Sequence, residues 1–453
     1  MNLIEKYNVS VPRYTSYPPA NYFVEMSAES YQEAVCKSND EGCSTLSFYL
    51  HIPFCHHLCH YCGCNSYAQP SDKAVVDKYI SALHKEIDMV AALIAPQRKI
   101  SQIHYGGGTP TLMPVEVLRE INEHILSLFG TIEKPEIAIE CHPGFLNAEQ
   151  WQSLTQSHFN RFSIGVQDFD EKVLKVVNRT PALIPVEEIV PILRSTGATI
   201  SMDFLYGLPL QTPQLFAQSI ERAIATKPDR VVTFGYGHVP WVFKRQAILE
   251  QYGLPLATDK QQMYENAANL LCEAGYVQIG MDHFVLPTDE LYLALKNGQL
   301  HRNFQGYCTR RTTGQVYAFG VTAISQLDGA YCQNTKSIEQ YIELIEQGKL
   351  PSSKGYTLTA EQRIARSVIE QLMCNYQISW SQIAEELKLS IDEVRKALHF
   401  NLEQLQDMQA DGILSLTTDT IKMTTEGHPY VRNVAAALDP LMQNTTKQFS
   451  KPI

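Results

Sequence analysis

The chain has 453 residues, and its 37 Lys and Arg against 48 Asp and Glu give a formal net charge of −11. This length allows one large domain with an ample core plus an accessory domain. The acidic balance argues against nucleic acid or an anionic membrane surface as a general partner. We find no apolar run of about eighteen residues and no signal-peptide layout at the N-terminus, so we expect a cytoplasmic protein that does not enter a membrane.

Residues 1–44 are predicted to form an N-terminal strap rather than a domain. Its most distinctive part is RYTSYPPANYF, from Arg13 to Phe23, which has four aromatic residues and two adjacent prolines. Aromatic clusters of this kind more often pack against a core than contact a ligand. We therefore expect these rings to pack on the domain that follows.

Four cysteines, Cys55, Cys59, Cys62 and Cys64, lie within ten residues, directly after a predicted strand at 47–52. Closely spaced thiolates bind zinc or an iron–sulfur cluster. A closed zinc site needs a second cysteine pair or two histidines at finger spacing, and no second C-x2-C occurs in the sequence. The C-x3-C-x2-C run therefore favours an iron–sulfur cluster, with buried inert cysteines as the weaker alternative.

From residue 45 onward, predicted strands alternate with amphipathic helices, which is typical of a parallel sheet. Predicted strands lie at 47–52, 101–105, 136–140, 161–166, 199–205, 230–236 and 277–281, and predicted helices at 76–94, 115–128, 148–157, 185–196, 214–226 and 259–275. Periodicity does not distinguish an open sheet from a barrel. Both place ligand sites at the carboxyl ends of the strands.

Glycine-rich or polar residues follow most of these strands. A run of glycines at 106–108 lets backbone amides approach a ligand, although glycine-rich turns are common. Asp203 lies inside an apolar strand, where a carboxylate is costly unless it is bonded or paired. Glu140 lies at the end of another predicted strand and could contact a ligand, or it could be an ordinary surface or helix-capping carboxylate. The polar groups at the strand ends are therefore the candidate site residues.

The cysteine spacing resembles the cluster motif of the radical S-adenosylmethionine (SAM) enzymes. Tyr49, six residues before the first cysteine, and the Cys62-Gly63-Cys64 ending narrow the resemblance to the oxygen-independent coproporphyrinogen III oxidases. RYTSYPPA, GGGTP, YGLP and HRNFQGY also look like segments of that family. The resemblance implies an α/β fold, a partial (β/α)6 barrel open on one side. It divides the chain into a strap (1–44), the barrel with a substrate-site extension (45–350) and a mostly helical, winged-helix-like domain (351–453).

The resemblance also implies cofactors and site residues. Cys55, Cys59 and Cys62 would hold a 4Fe–4S cluster whose fourth iron binds SAM, and Cys64 would be a nearby thiol without an iron. One or two SAM molecules are implied. The residues that would contact SAM, the last two of them at a second SAM or substrate pocket, are Tyr49, Gly107, Gly108, Thr109, Glu140, Gln167, Arg179, Asp203, Gly237, Gln305 and Ile324.

The implied reaction is the oxidative decarboxylation of two propionates of coproporphyrinogen III to vinyl groups, giving protoporphyrinogen IX in anaerobic heme biosynthesis. A reductant protein such as flavodoxin or ferredoxin would be the partner, and a monomer is the expected state. Two alternatives stay open. One is a related radical SAM enzyme, a heme-ring methyltransferase or a cyclopropane-forming enzyme. The other is a non-catalytic heme chaperone.

Some residues depart from the family pattern or have two interpretations. The turn at 140–144 reads ECHPG where an acidic and basic E-x-D-P-R-like turn is usual. Arg310 and Arg311 could pair with substrate carboxylates or form a solvated surface pair. Asp282 and His283 could form a catalytic pair or a structural hydrogen bond.

Residues 351–430 change character. Helices are predicted at 360–375, 379–387 and 391–406, followed by β-like residues 412–423, and Ser390 with Glu393 form a capping-box signature. A winged-helix order suggests DNA binding. However, residues 360–430 contain six Lys and Arg against eleven Asp and Glu, a net charge of −5. A domain that reads a groove should be basic, so a lid or support domain is predicted.

Overall fold

The computed structural model describes residues 3–40 and 44–449. The strands are β1 (Val24–Glu25), β2 (Thr45–Ile52), β3 (Phe54–Cys55), β4 (Tyr67–Ala68), β5 (Lys99–Gly107), β6 (Thr131–Cys141), β7 (Arg161–Gln167), β8 (Thr199–Tyr206), β9 (Arg230–Gly235), β10 (Val277–Ile279), β11 (His283–Val285), β12 (Leu300–Asn303), β13 (Gly306–Thr309), β14 (Val316–Phe319), β15 (Ile324–Gln326), β16 (Ala330–Asn334), β17 (Ser352–Thr357), β18 (Gln377–Ser379), β19 (Leu414–Leu416) and β20 (Thr420–Met423).

The helices are α1 (Leu3–Tyr7), α2 (Ala28–Lys37), α3 (Lys73–Ala91), α4 (Val115–Leu128), α5 (Ala148–Thr155), α6 (Glu171–Val176), α7 (Val186–Arg194), α8 (Pro213–Thr226), α9 (Ala257–Glu273), α10 (Glu290–Lys296), α11 (Ile338–Glu346), α12 (Ala360–Asn375), α13 (Trp380–Leu387), α14 (Ile391–Lys396), α15 (Leu402–Ala410) and α16 (Val431–Leu438). Short 3₁₀ helices include Lys244–Tyr252. No helix within the described ranges is long and apolar enough to cross a membrane.

Six parallel strands, β2, β5, β6, β7, β8 and β9, lie side by side in chain order. The register pairs Tyr49 with His104 and Gly165 with Asp203. Helices connect the strands, as the alternation of predicted elements indicated. Because the strands are parallel, their carboxyl ends meet at one rim, which is where the predicted site residues lie.

Alternate residues of each strand face different environments. On β2, Phe48 and Leu50 are buried in the main hydrophobic core with the surrounding helices, whereas Tyr49 and His51 share the other face. Fully burying one such large apolar side chain contributes about 1.5–3 kcal/mol. The helices therefore seal the outside of the sheet, and its inner face is free to carry polar groups.

Both edges of the sheet carry extensions, which are antiparallel except that β14 runs parallel to β2. Beyond β2 the order is β14, β15, β16, β17 and β1, and beyond β9 it is β11 and β10. Among the described residues, the two end strands β1 and β10 do not pair with each other. The partial barrel implied by the resemblance is confirmed, and its extension from β14 to β17 was not predicted in detail.

One predicted strand, 277–281, is not a parallel member of the sheet. Its observed part, β10, ends at Ile279 and pairs antiparallel with β11. Gly280, with φ +61°, turns the chain back immediately after β10. The connection is therefore a hairpin rather than another crossover.

The C-terminal region contains the predicted helices and a small antiparallel sheet in the order β18, β20, β19. The helix predicted at 391–406 is two helices, α14 and α15, because the chain breaks near 397–401 and Asn401 caps α15. The capping box of Ser390 and Glu393 is present. The domain bounds at 44 and 350 stay a prediction.

The first part of the strap, residues 3–22, packs mainly on the C-terminal region, whereas Tyr31 and Val35 of α2 pack in the main core of the barrel. The hydroxyl groups of Tyr14 and Tyr17 donate to the two carboxylate oxygens of Asp439, at 2.9 and 3.0 Å. Both rings belong to the C-terminal hydrophobic cluster. Phe23 instead stacks on Tyr331 of the sheet extension, with ring centroids 5.5 Å apart. The strap thus links the two regions.

Candidate active site

The cysteine loop after β2 is held from one side by the residues that follow α6. The amide of His60 donates to the carbonyl of Val177 at 2.9 Å. Asn178 Nδ2 donates to the carbonyl of Leu58 at 3.1 Å. These bonds fix the middle of the loop before any ligand binds.

The 3₁₀ helix Lys244–Tyr252 holds the loop from the other side. Arg245 Nη2 donates to the carbonyl of Cys62 at 2.8 Å, and Gln246 Nε2 donates to the carbonyl of Tyr61 at 2.9 Å. Half-buried Tyr61 packs against a small apolar cluster that includes Val173 of α6. The loop is therefore clamped between two elements that are far apart in sequence.

Each of the three predicted cluster ligands lies beside a hydrogen-bond donor. Thr109 Oγ1 lies 3.5 Å from Cys55 Sγ, Arg179 Nη1 lies 3.7 Å from Cys59 Sγ, and the backbone amide of Cys64 lies 3.4 Å from Cys62 Sγ. Donors of this kind stabilise thiolates, the form that ligates metals.

Cys62 and Cys64 differ in their ionisation. A hydrogen bond from the Cys64 thiol, the Cys64 amide and the charges of Arg245 and Arg179 hold the pKa of Cys62 below its usual value. The same thiol hydrogen bond and burial raise the pKa of Cys64. This difference fits the prediction that Cys62 is a ligand and Cys64 is not.

The donor set suits a cluster better than one ion. Within residues 3–40 and 44–449, no three Cys, His, Asp or Glu side chains converge closely enough to hold a single metal ion. A 4Fe–4S cluster binds each cysteine to its own iron, so the three sulfurs need not meet at one atom. The thiols at this loop are also unpaired by disulfides.

Glycine is required at positions 106–108 because neighbouring groups leave no room for a Cβ at any of the three. A Cβ on Gly107, whose φ is +115°, would lie 2.8 Å from the His51 ring, and one on Gly108 would lie 2.7 Å from the Phe54 carbonyl. A Cβ on Gly106 would lie 2.6 Å from Glu140 Oε1. The run therefore lets β5 pass between the cysteine loop and the Glu140 carboxylate.

A cavity of about 400 Å³ opens beside this loop at the carboxyl rim of the strands. Five of the residues predicted to contact SAM line it, and Cys64 and His51 are part of its wall. The lining consists of Tyr49, His51, Gly63, Cys64, Asn65, Gly107, Glu140, Asn303, Phe304, Gln305, Val316, Thr322, Ala323, Ile324 and Gln326.

The wall opposite the cysteine loop carries amides without partners. Both side-chain amide atoms of Gln305, Nδ2 of Asn303 and Oε1 of Gln326 are buried and make no hydrogen bond within residues 3–40 and 44–449. Leaving such a group unsatisfied costs about 1–3 kcal/mol. Polar atoms in this state point to a polar ligand that completes their bonding.

The inner face between these walls is a polar ladder. Tyr49 stacks on His104 with centroids 5.9 Å apart, and His104 Nε2 lies 3.2 Å from Glu140 Oε1. Further along, Ser163 donates to Asp203 Oδ2 at 2.6 Å. Burial raises the pKa of Asp203, which the bond from Ser163 partly offsets.

The other predicted SAM residues lie behind the loop. A Cβ on Gly165 would lie 2.9 Å from Gln167 Nε2 and 3.0 Å from Arg179 Nη2, so these two side chains adjoin the same stretch of β7. Gln167 has φ +68°, which turns the chain at the end of that strand. At Gly237 a Cβ would meet nothing within 4 Å, so the site does not require glycine for space.

Sequence reasoning missed His51. Its Nδ1 lies 3.2 Å from the Tyr49 hydroxyl, and its Nε2 lies 2.9 Å from the Asn65 carbonyl. Burial lowers the pKa of His51, which favours the neutral ring. The signal was present in the strand period, since a residue two positions after Tyr49 must share its face.

Asp282 and His283 form a buried hydrogen-bonded pair, 2.7 Å from Oδ1 to Nδ1. Burial opposes ionisation of Asp282, but His283 and Arg302 hold its pKa below the usual value. The His283 ring stands edge-on to Tyr307, with centroids 5.3 Å apart. The pair lies near the rim but does not line the cavity.

Arg310 and Arg311 are not at the cavity. Arg310 pairs with Glu370 at 2.7 Å, and Arg311 pairs with both carboxylate oxygens of Glu290 at 2.8 Å. They follow the end of the β12–β13 hairpin that is remote from Gln305, because the register places Asn303 beside Gly306 and Leu300 beside Thr309. Of the two interpretations of these arginines, the structure favours surface ion pairs over contacts with substrate carboxylates.

A different arginine, Arg13 of the strap, lies near the rim. Its side chain is exposed, and among the described residues it makes no hydrogen bond or ion pair. Its charge helps to lower the pKa of Asp282 and partly offsets the rise that burial causes in the pKa of Tyr206, which places Arg13 near both. Arg302 Nη1 donates to its carbonyl at 2.8 Å, which fixes the backbone of the strap there.

The parallel sheet and the clamped three-cysteine loop define a class of enzyme, and residues 49–223 match the family model of the radical SAM superfamily. Residues 358–430 match the HemN C-terminal domain. The full length is similar to curated oxygen-independent coproporphyrinogen III oxidases. The relative from Helicobacter pylori is 38% identical over 99% of this chain and 98% of its own, and that from Synechocystis is 36% identical over 100% and 97%.

Among solved structures, the coproporphyrinogen III oxidase HemN from Escherichia coli, described as a radical SAM enzyme, superposes with a TM-score of 0.85 at 34% identity. The match covers 94% of this chain and 97% of that one. The chain belongs to the oxygen-independent coproporphyrinogen III oxidase family of radical SAM enzymes. The cofactors of this class are a 4Fe–4S cluster and SAM, as the cysteine motif predicted, and neither alternative function is favoured.

Proposed function

We propose that this chain converts two propionate side chains of coproporphyrinogen III to vinyl groups. The observation that carries the proposal is the cavity itself, which lies at the rim of the strands between a clamped cysteine loop and a wall of unpartnered amides. The full-length similarity to the oxidases supports the same substrate.

In this proposal Cys55, Cys59 and Cys62 hold the cluster. Thr109 and Arg179, whose counterparts in the family contact SAM, also donate toward two of the three sulfurs. When bound, the cluster and SAM supply the one-electron cleavage of a carbon–sulfur bond that produces a 5′-deoxyadenosyl radical able to abstract hydrogen. The loop needs no rearrangement of its backbone to present the thiolates, because it is already fixed on both sides.

The remaining predicted residues are proposed to orient SAM. Glu140 and the backbone of Gly107 suit the charged amino and carboxylate groups, and the half-buried Tyr49 lines that end of the cavity. Gln305 and Ile324 lie on the opposite wall, where an unpartnered amide can complete its bonding with a second SAM or with substrate. Gly108, Gln167, Asp203 and Gly237 complete the proposed set.

The tetrapyrrole requires an apolar wall and cations. Phe234 on β9 remains 36% exposed next to His283 and offers an apolar surface at the rim. Near the same rim, Arg13 is a cation whose side chain makes no hydrogen bond or ion pair with any residue that the structure describes. We assign it to a substrate carboxylate, since a guanidinium recognises carboxylates bidentately.

Each conversion removes one hydrogen atom from the β-carbon of a propionate, releases carbon dioxide and passes one electron to an acceptor. Two rounds give two vinyl groups. No general base is needed, because the carboxylate leaves as carbon dioxide once the electron has left. A one-electron carrier protein of the flavodoxin or ferredoxin class is the proposed reductant.

Anaerobic incubation of reconstituted protein with coproporphyrinogen III, SAM and dithionite tests the proposal. The expected products are protoporphyrinogen IX and two molecules of carbon dioxide for each substrate molecule. SAM cleavage without carbon dioxide release, or a methylated or cyclopropane product, would contradict this assignment of substrate and reaction. Tight one-to-one heme binding without SAM cleavage would favour a chaperone.

A further inference from the structure

The cysteine loop is itself part of the protein surface. His57 is exposed and His60 is half-buried, and these residues lie two positions and one position from Cys59. Behind this surface, Cys59 is buried and in contact with Arg179. An electron carrier that touched the loop would thus be separated from a predicted cluster ligand by one or two residues of backbone.

Exposed lysines flank the loop on both sides. On α6, the buried Val173 faces the protein, whereas Lys172 and Lys175 are exposed. The carbonyl of Val176, at the end of this helix, lies 3.3 Å from His60 Nδ1, so the helix abuts the loop. On the other side, exposed Lys244 begins the 3₁₀ helix whose next residue bonds the carbonyl of Cys62.

The charge of this surface is opposite to that of the whole chain. Exposed or half-exposed cations here are Lys172, Lys175, Lys244 and Arg245, and the anions on the same two helices are Glu171 and Glu250. Glu250 is paired with His238 at 2.9 Å. The chain as a whole has a formal charge of −11, so this cationic surface is a local exception.

Apolar side chains are exposed on the same flank. Trp241 is 76% exposed, Val242 60% and Ile248 43%. These residues lie within or just before the 3₁₀ helix that clamps the loop. Interfaces commonly have an apolar centre that includes aromatic residues and a charged rim.

We propose that α6, the outer side of the cysteine loop and the 3₁₀ helix Lys244–Tyr252 form the docking surface for an acidic one-electron carrier protein. This inference rests on the proposed function, because that function requires a reductant. The inference adds the place where the reductant binds. The cationic surface favours an acidic carrier by charge complementarity. A second copy of this chain is not favoured, because two chains of net charge −11 repel each other overall.

The test reverses the charge of the three lysines together, as Lys172→Glu, Lys175→Glu and Lys244→Glu. A matched control reverses three exposed lysines elsewhere, Lys354, Lys396 and Lys422, and so changes the net charge equally. Reconstituted proteins are assayed for 5′-deoxyadenosine formation from SAM. The reductant is either reduced flavodoxin or dithionite.

With flavodoxin, the first variant should need about tenfold more carrier for half-maximal rate, because exposed charge pairs contribute about 0.2–1 kcal/mol each. With dithionite, its rate of 5′-deoxyadenosine formation should equal that of the wild type. The control variant should have the wild-type rate with both reductants. Calorimetric titration with oxidised flavodoxin should show the same tenfold loss of affinity without any turnover. Equal behaviour of the two variants with flavodoxin would overturn the proposal.

If the first variant fails to fold, the wild type still decides the question. Raising the salt concentration should weaken flavodoxin binding and leave dithionite-driven SAM cleavage unchanged. Salt-independent flavodoxin binding would overturn the proposal. Because 5′-deoxyadenosine is the readout, failure on coproporphyrinogen III would reject the substrate without affecting this test.

Discussion

The two walls of the cavity are built in opposite ways. On the cysteine-loop wall, the carbonyls of Leu58, Tyr61 and Cys62 all accept hydrogen bonds from neighbouring elements. On the hairpin wall, the amides of Asn303 and Gln305 are buried with unbonded atoms. One wall is complete without a ligand, and the other is not.

This difference indicates which groups act as scaffold and which act as receptor. A protein gains stability by satisfying buried polar groups, so unsatisfied ones persist where a ligand completes them. Changes on the cysteine-loop wall should therefore abolish function. Changes that remove an unbonded amide from the hairpin wall should instead weaken ligand binding and stabilise the unliganded protein. Cys59 and Gln305 variants test that distinction, whereas Arg13 and Glu86 variants test a cation near the rim and a buried carboxylate outside both walls. The expected effects decrease from the first to the last.

Cys59→Ser should abolish SAM cleavage, a loss of more than about 10³-fold in rate, because a hydroxyl group is a poor ligand for this cluster. Iron and sulfide content and visible absorbance after anaerobic reconstitution measure the loss of the cluster. Cys272→Ser, at an exposed cysteine outside the loop, is the control and should keep both. Full cluster content in the Cys59 variant would show that the ligand was assigned wrongly.

Arg13→Ala should raise KM for coproporphyrinogen III about tenfold, because a charged hydrogen bond to a carboxylate contributes about 1.5–3 kcal/mol. SAM cleavage without substrate should stay unchanged. Arg310→Ala, which removes a guanidinium already paired with Glu370, is the control and should leave KM unchanged. An equal KM in both variants would remove Arg13 from the substrate site.

Gln305→Leu should stabilise the unliganded protein by about 1–2 kcal/mol and weaken ligand binding, since it removes an amide with no partner. Gln211→Leu is the matched control. Its oxygen accepts from the Leu208 amide at 2.8 Å and its nitrogen donates to Asp168 at 2.6 Å, so it should lose stability. Urea unfolding measures both, and destabilisation of the Gln305 variant would contradict the receptor assignment.

Glu86 is a buried carboxylate of α3 that is fully bonded, with donors Gly320 N, Asn334 Nδ2 and Tyr341 Oη at 2.6–2.7 Å. Burial nevertheless raises the pKa of Glu86 to about 7. The folded protein then binds more protons than the unfolded chain between the usual carboxyl pKa and this value. Stability should therefore fall as the pH rises through that window.

Unfolding free energies of the wild type and Glu86→Gln between pH 5 and about 8 test this linkage. Relative to the variant, the wild type should lose up to about 1 kcal/mol for each pH unit below pH 7, and the difference should level off above it. Parallel profiles would mean that the three donors keep Glu86 ionised.

Much of the scaffold could be predicted because its signals are local. Hydrophobic periodicity placed the six parallel strands and most of the helices, and the capping box marked the start of α14. The antiparallel pairing of β10 could not be predicted in this way. Strand direction there depends on the turn at Gly280 and on which edge remains open.

In the site, too, the features that could be predicted are those encoded by residues close together in the sequence. The spacing of the cysteines, with the glycine run that lets β5 pass close by, is encoded within short segments of sequence. The resemblance to the family pointed to five residues that line the cavity, among them Tyr49 and Glu140. His51 was missed although the two-residue period of its strand carried the signal.

By itself, the sequence determined the cluster loop, the alternation of strands and helices, and the chemistry of the family, because each depends on residues close together in the chain. Only the tertiary structure decided which arginine lies at the rim. Arg13 lies in a family-like segment and Arg310 just after one. Arg310 is neutralised by Glu370, whereas the Arg13 side chain has no hydrogen-bond or ion-pair partner among the described residues. Partner choice over such distances is set by packing, which local pattern does not record.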